Sequence, residues 1–101
     1  MPVPESEHRL TEPLLTELVA GLDDWSLQNG TAITKTFSFA DFRTAVGFVD
    51  RVAMAAEAAQ HHPDLHLERY KTVRIVLTTH ATGGVSAADI ELAGAIDRLL
   101  G

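Results

Sequence analysis

The sequence has 101 residues, a formal net charge of −6, a sequence pI of about 5.2 and no cysteine. That length fits one domain with one modest core, and an ordinary 22% of charged residues argues against a disordered tail. The acidic balance, with no Lys/Arg cluster, argues against nucleic acid and anionic membrane surfaces as partners, and the lack of cysteine excludes disulfides, thiolate nucleophiles and Cys-based metal centres.

Residues 1–10 read as a flexible lead-in, and 11–101 as one domain. Thr11 is a plausible N-cap, with Glu12 and Pro13 in the first turn of a helix. Leu14, Leu15, Leu18 and Val19 recur there at helical spacing until Gly21. Trp25 and Leu27 alternate with polar neighbours, Asn29-Gly30 is a strong type I′ turn signal, and Thr31 to Phe39 alternates with Ile33, Phe37 and Phe39 on one face. From about Asp41 to Gln60 the period becomes helical, with Phe42, Val46, Val49, Val52, Ala53 and Ala56 marking the apolar face.

Pro63 disfavours helical geometry at His62, so this helix ends near Gln60 or His61. Leu65 to Tyr70 and Val73 to Thr79 read as two strands, with a weakly signalled turn near Lys71. Gly83-Gly84 is a loop, and Ser86 with Asp89 three residues on forms a capping box for a last helix, whose buried side carries Leu92, Ala93, Ile96 and Leu100. The order α-β-β-α-β-β-α predicts an α+β two-layer sandwich: a four-stranded antiparallel sheet with three helices on one face. No apolar run approaches the roughly 18–20 residues of a membrane span, and the start of the chain does not resemble a signal peptide, so the expected setting is the cytoplasm.

Four of the five histidines fall between positions 61 and 80. His61 and His62 stand at the C-terminal end of the long helix, where the dipole favours a protonated ring. Glu57, four residues before His61, would share its helix face, and a carboxylate beside an imidazole can fix its tautomer. His80 ends a strand. Should strand end and helix end meet, two or three imidazoles would converge, which is equipment for moving protons near neutral pH. The plainer reading makes these residues helix caps and strand decoration, with His66 on an exposed strand. A third makes Glu57, His61, His62, His66 and His80 metal ligands, but no H-E-x-x-H pattern is present and no metal or cofactor is expected.

The residues Glu57, His61-His62-Pro63, Tyr70, His80 and Asp89, at these spacings, resemble the pterin-4a-carbinolamine dehydratases. Phe37-Ser-Phe-Ala-Asp-Phe42, Leu77-Thr-Thr-His80 and Asp89-Ile-Glu-Leu-Ala93 fit as well, and the resemblance covers nearly the whole chain after residue 10. Leu65 stands where the family often has Trp, and Gly84-Val85-Ser86 replaces the usual Gly-Leu-Thr or Gly-Leu-Ser. The resemblance implies dehydration of a 4a-hydroxytetrahydropterin to quinonoid dihydropterin in tetrahydrobiopterin recycling. His61, His62 and His80 would be catalytic. His61 and His80 would form the acid–base pair, His62 would orient the pterin and Glu57 would tune His61. Pro63, Leu65, Tyr70, Thr78, Thr79 and Asp89 would bind or support. It also implies a homodimer or homotetramer and an aromatic amino acid hydroxylase in the same pathway. The rival implication is a non-catalytic binding protein of the same fold, a transcription-factor dimerisation cofactor or a Rubisco assembly chaperone.

Overall fold

In the computed structural model, which describes residues 8–100, the chain forms three helices and four strands. In order they are α1 (Glu12–Ala20), β1 (Ser26–Gln28), β2 (Ala32–Ser38), α2 (Phe42–Ala59), β3 (Asp64–Glu68), β4 (Thr72–Leu77), a 3₁₀ turn (His80–Thr82) and α3 (Ala87–Arg98). Asn29 and Gly30 both take positive φ, 54° and 70°, as the type I′ turn between β1 and β2 requires. Asp41 caps α2 by accepting the backbone N–H of Thr44 at 2.8 Å. That bond holds the Asp41 carboxyl below its ordinary value.

The sheet order is β1-β2-β4-β3, and every neighbour is antiparallel. Ile33 pairs with Leu77 and Phe37 with Val73, so alternation puts Ile33, Phe37, Val73, Ile75 and Leu77 on one face. That face packs with Leu15 and Val19 of α1, Phe48 and Val52 of α2, and Leu92 and Ile96 of α3 in one core. The result is the expected two-layer sandwich. Phe48 is fully buried, with its ring centroid 4.8 Å from that of Phe37 and 4.9 Å from that of Phe39. Burying such a ring stabilises by roughly 2–3 kcal/mol, so it anchors α2 on the sheet. The opposite face carries Thr34, Thr36, Ser38, Thr72 and Arg74, with Val76 as an apolar member opposite Thr34. Its polar character suits a face that no helix covers.

Several expectations are corrected. The buried face of α2 is Ala45, Phe48, Val52 and Ala56, whereas Phe42, Val46 and Ala53 are exposed and Val49 packs at the margin. Apolar residues span a wide arc of this helix, and the large side chain at Phe48 decides which part of it meets the sheet. β3 ends at Glu68 rather than Tyr70, because Arg69 and Tyr70, with φ of 50° and 55°, open the three-residue turn that Lys71 completes. β4 stops at Leu77, and His80 opens the 3₁₀ turn instead of ending a strand. Leu100 lies beyond α3 and is exposed. Most of the proposed lead-in falls outside the described residues. Within the described part, Arg9 bridges to Ser86 and the Leu10 N–H donates to the Val85 carbonyl at 2.9 Å.

Candidate active site

Three chain segments meet where α2 ends, β4 ends and α3 begins. Gln60 takes a left-handed conformation (φ 53°, ψ 39°) and closes α2. The His61 N–H still donates to the Ala56 carbonyl at 3.1 Å, and Pro63 then prevents the helix from continuing through His62. His61 is thereby turned off the helix face, and its Nε2 lies 2.5 Å from Asp89 Oδ1. The strand parity that buries Val73, Ile75 and Leu77 continues to Thr79, which is also buried. Thr79 pairs with Gly84 across the 3₁₀ turn, and the single Thr82 hydroxyl hydrogen is shared between the carbonyls of Thr79 and Gly84, both at 3.0 Å. The loop returns through Ser86, the N-cap of α3.

Asp89 is fully buried, yet each of its oxygens is bonded. Oδ2 accepts the Thr79 hydroxyl at 2.8 Å and the Ser86 backbone N–H at 2.9 Å, and Oδ1 faces His61. A charge out of water needs this many partners, and its position in the first turn of α3 adds the favourable end of the helix dipole. The hydroxyls of Thr79 and Ser86 are 2.8 Å apart. His61 is mostly buried, with 16% of its side chain exposed, and it walls a cavity of about 410 Å³ between α2, the 3₁₀ turn and α3. The short side chains of Ala55, Ala88 and Ala95 leave that space unfilled. Gln60, Thr79 and Glu91 supply its other polar groups.

The predicted site residues divide into four groups. His61, Thr79 and Asp89 are joined by hydrogen bonds. His62 and Glu57 form a separate exposed pair at 2.6 Å, so Glu57 reaches His62 and not His61. The left-handed Gln60 explains this correction, since i,i+4 proximity holds only while the helix continues. His80 is exposed, but its chain neighbours Thr79 and Ala81 line the cavity. The remaining residues point elsewhere. Leu65 packs against the core opposite Ile75, Thr78 donates to the Thr31 carbonyl at 2.6 Å, and Pro63 is half-buried ahead of β3. Tyr70 stands exposed at the far tip of the β3–β4 hairpin.

Sequence reasoning missed Gln60, Glu91 and the role of the Ser86 hydroxyl. Thr79 left a usable signal, being a polar residue at a position whose parity calls for a core side chain. Among the described residues, no helix is long and apolar enough to cross a membrane.

Comparison with known proteins agrees on the family. The pattern described as pterin 4 alpha carbinolamine dehydratase matches residues 8–99. A Chloroflexus aggregans protein, provisionally named a pterin-4-alpha-carbinolamine dehydratase, is 52% identical over 93 residues, covering 92% of this chain and 98% of its own. A Rhodospirillum rubrum protein of the same provisional name is 47% identical, covering 92% and 97%. A solved structure described as a transcriptional coactivator/pterin dehydratase from Brucella melitensis superposes with a TM-score of 0.86 at 39% identity, over 93% of this chain and all of the other. A pterin dehydratase-like RuBisCO assembly factor of the alpha-carboxysome shares the fold, with a TM-score of 0.65 at 23% identity over 78% of this chain and 92% of the other.

Proposed function

The chain belongs to the pterin 4 alpha carbinolamine dehydratase family, and from that premise we propose that it dehydrates a 4a-hydroxytetrahydropterin to quinonoid dihydropterin and water. The observation that supports it most is His61, an imidazole held by a buried carboxylate in the wall of a cavity of about 410 Å³. The reaction needs a proton given to the departing C4a hydroxyl and a proton taken from N5. The C4a–O bond breaks and a C4a=N5 double bond forms. Two imidazoles working near neutral pH suit both tasks. We assign them to His61 and His80, with His62, paired to Glu57, orienting the pterin. His80 is exposed between two cavity-lining residues, and in this reading its ring reaches the mouth by side-chain rotation. Glu91 offers a carboxylate to the N3–H and 2-amino edge of a pterin, a pair of donors that a carboxylate accepts side by side. An aromatic hydroxylation that leaves a hydroxylated pterin is the class of reaction that would supply the substrate. The cytoplasmic setting is a reading of the amino-acid sequence alone.

The test is stopped-flow dehydration of chemically generated 4a-hydroxytetrahydropterin. Acceleration that falls by at least about a hundredfold in His61→Ala is expected, as befits loss of a general acid–base group. A folded protein that gives no acceleration would overturn the reading and favour the binding-protein role. The exposed Phe42 and Val46, one helical turn apart on α2, support self-association as a dimer or tetramer. Sedimentation equilibrium that finds only monomer at micromolar concentration would remove that part.

A further inference from the structure

We propose that the hydroxyls of Thr79 and Ser86 act through Asp89 to hold neutral His61 in the tautomer with its proton on Nε2, leaving Nδ1 as the nitrogen that accepts the substrate's proton. This deepens the dehydratase reading and rests on it for the substrate. Where the proton sits follows from the structure and from donor counting. An ionised carboxylate only accepts hydrogen bonds. Asp89 Oδ2 takes two donors, the Ser86 N–H and the Thr79 hydroxyl, and the carboxyl stands in the first turn of α3, where the helix dipole adds to them; together these favour the ionised carboxylate as the acceptor. The 2.5 Å contact at Oδ1 therefore requires a hydrogen on His61 Nε2.

The rest of the chain has one consistent direction. Thr79 has a single hydroxyl hydrogen, and Asp89 receives it. The 2.8 Å contact between the two hydroxyls must then run from Ser86 Oγ–H to Thr79 Oγ. Ser86 and Asp89 are fully buried and Thr79 nearly so, which leaves water little room to replace a lost donor. Among the described residues Nδ1 has no hydrogen-bond partner, and the ring lines the cavity. In the proposed step the N5–H bond breaks, its electron pair stays with the pterin, and an Nδ1–H bond forms. The resulting imidazolium lies against the Asp89 carboxylate. Proton donation to the leaving hydroxyl then falls to another group, which we assign to His80. Thr79 and Ser86 are positioning residues in this scheme.

The tautomer can be read without substrate, from long-range proton–nitrogen-15 spectra of the histidine rings in the full chain. The expected result for His61 is a protonated Nε2 and an unprotonated Nδ1 at a pH where the ring is neutral. Thr79→Val should convert this to a mixture of tautomers and lower kcat roughly tenfold, the scale on which supporting partners act. Thr79→Ser, which keeps the donor, should restore both. Ser86→Ala supplies a second variant and should move both readouts in the same direction by less. A proton on Nδ1 in the unaltered protein would overturn the proposal, whether or not any variant folds. So would a folded Thr79→Val that keeps both the tautomer and kcat. A protein with the Nε2–H tautomer that does not accelerate dehydration would support the proton placement and sink the dehydratase reading, so the two failures are separable.

Discussion

Lys35 lies on the helix-facing side of β2, between Ile33 and Phe37, where alternation calls for an apolar residue. Its ammonium reaches Asp97 Oδ1 at 2.9 Å and the Asp23 carbonyl at 2.6 Å, 4.9 Å above the Phe37 ring. Trp25 Nε1 donates to the other Asp97 oxygen at 3.0 Å. The lysine and aspartate side chains are only 10% and 19% exposed, so removing one partner strands the other in poor solvent. Asp97→Ala is expected to destabilise by about 3 kcal/mol in urea unfolding followed by circular dichroism. A loss under about 0.5 kcal/mol would mean that the cluster behaves as an ordinary surface pair. Such residues mark the limit of what was legible in the sequence. The capping pair Ser86 and Asp89 could be read, because capping is local. The carboxylate's second role could not, because its partners Thr79 and His61 are distant in sequence. For the same reason Lys35 gave no sign that Asp97 would meet it.

At the scale of elements, the two hairpins differ in how openly their turns are written. Asn29-Gly30 and Arg69-Tyr70 take the same two positive-φ positions. Asn and Gly accept that geometry readily, so the first turn was placed from the residues alone. Arg and Tyr have a Cβ that disfavours it, so the second hairpin was expected to turn two residues too late. Replacing Arg69→Asn and Tyr70→Gly together should raise stability by about 1 kcal/mol, measured as a higher urea midpoint at unchanged slope. No gain would show that the flanking strands already dictate the turn. For α2, the ends were legible from Asp41 and Pro63, but its buried arc was not. Apolar residues surround too much of the helix for period alone to choose among them.

For the whole molecule, hairpin signals and helical periods were enough to set the two-layer architecture, because each layer follows from local pattern plus the need to bury one face. The order of strands was not contained in those signals, and it governs how the protein reaches its fold. Each hairpin is closed by a short turn of three residues, but the seam between them joins Ile33 to Leu77 and Ser38 to Thr72 across the whole of α2. Hairpins form in microseconds, whereas a seam between distant segments must first meet the entropy of closing the intervening chain. Formation of β2–β4 should therefore be the slow step of refolding. In stopped-flow chevrons, Ile33→Val at the seam should chiefly slow folding, while Leu27→Ala on the outer strand should chiefly speed unfolding. The reverse pattern would put the nucleus in the first hairpin. On the expected pattern, a freshly made chain has both hairpins before it has a sheet, and each exposes a bare strand edge until the other arrives.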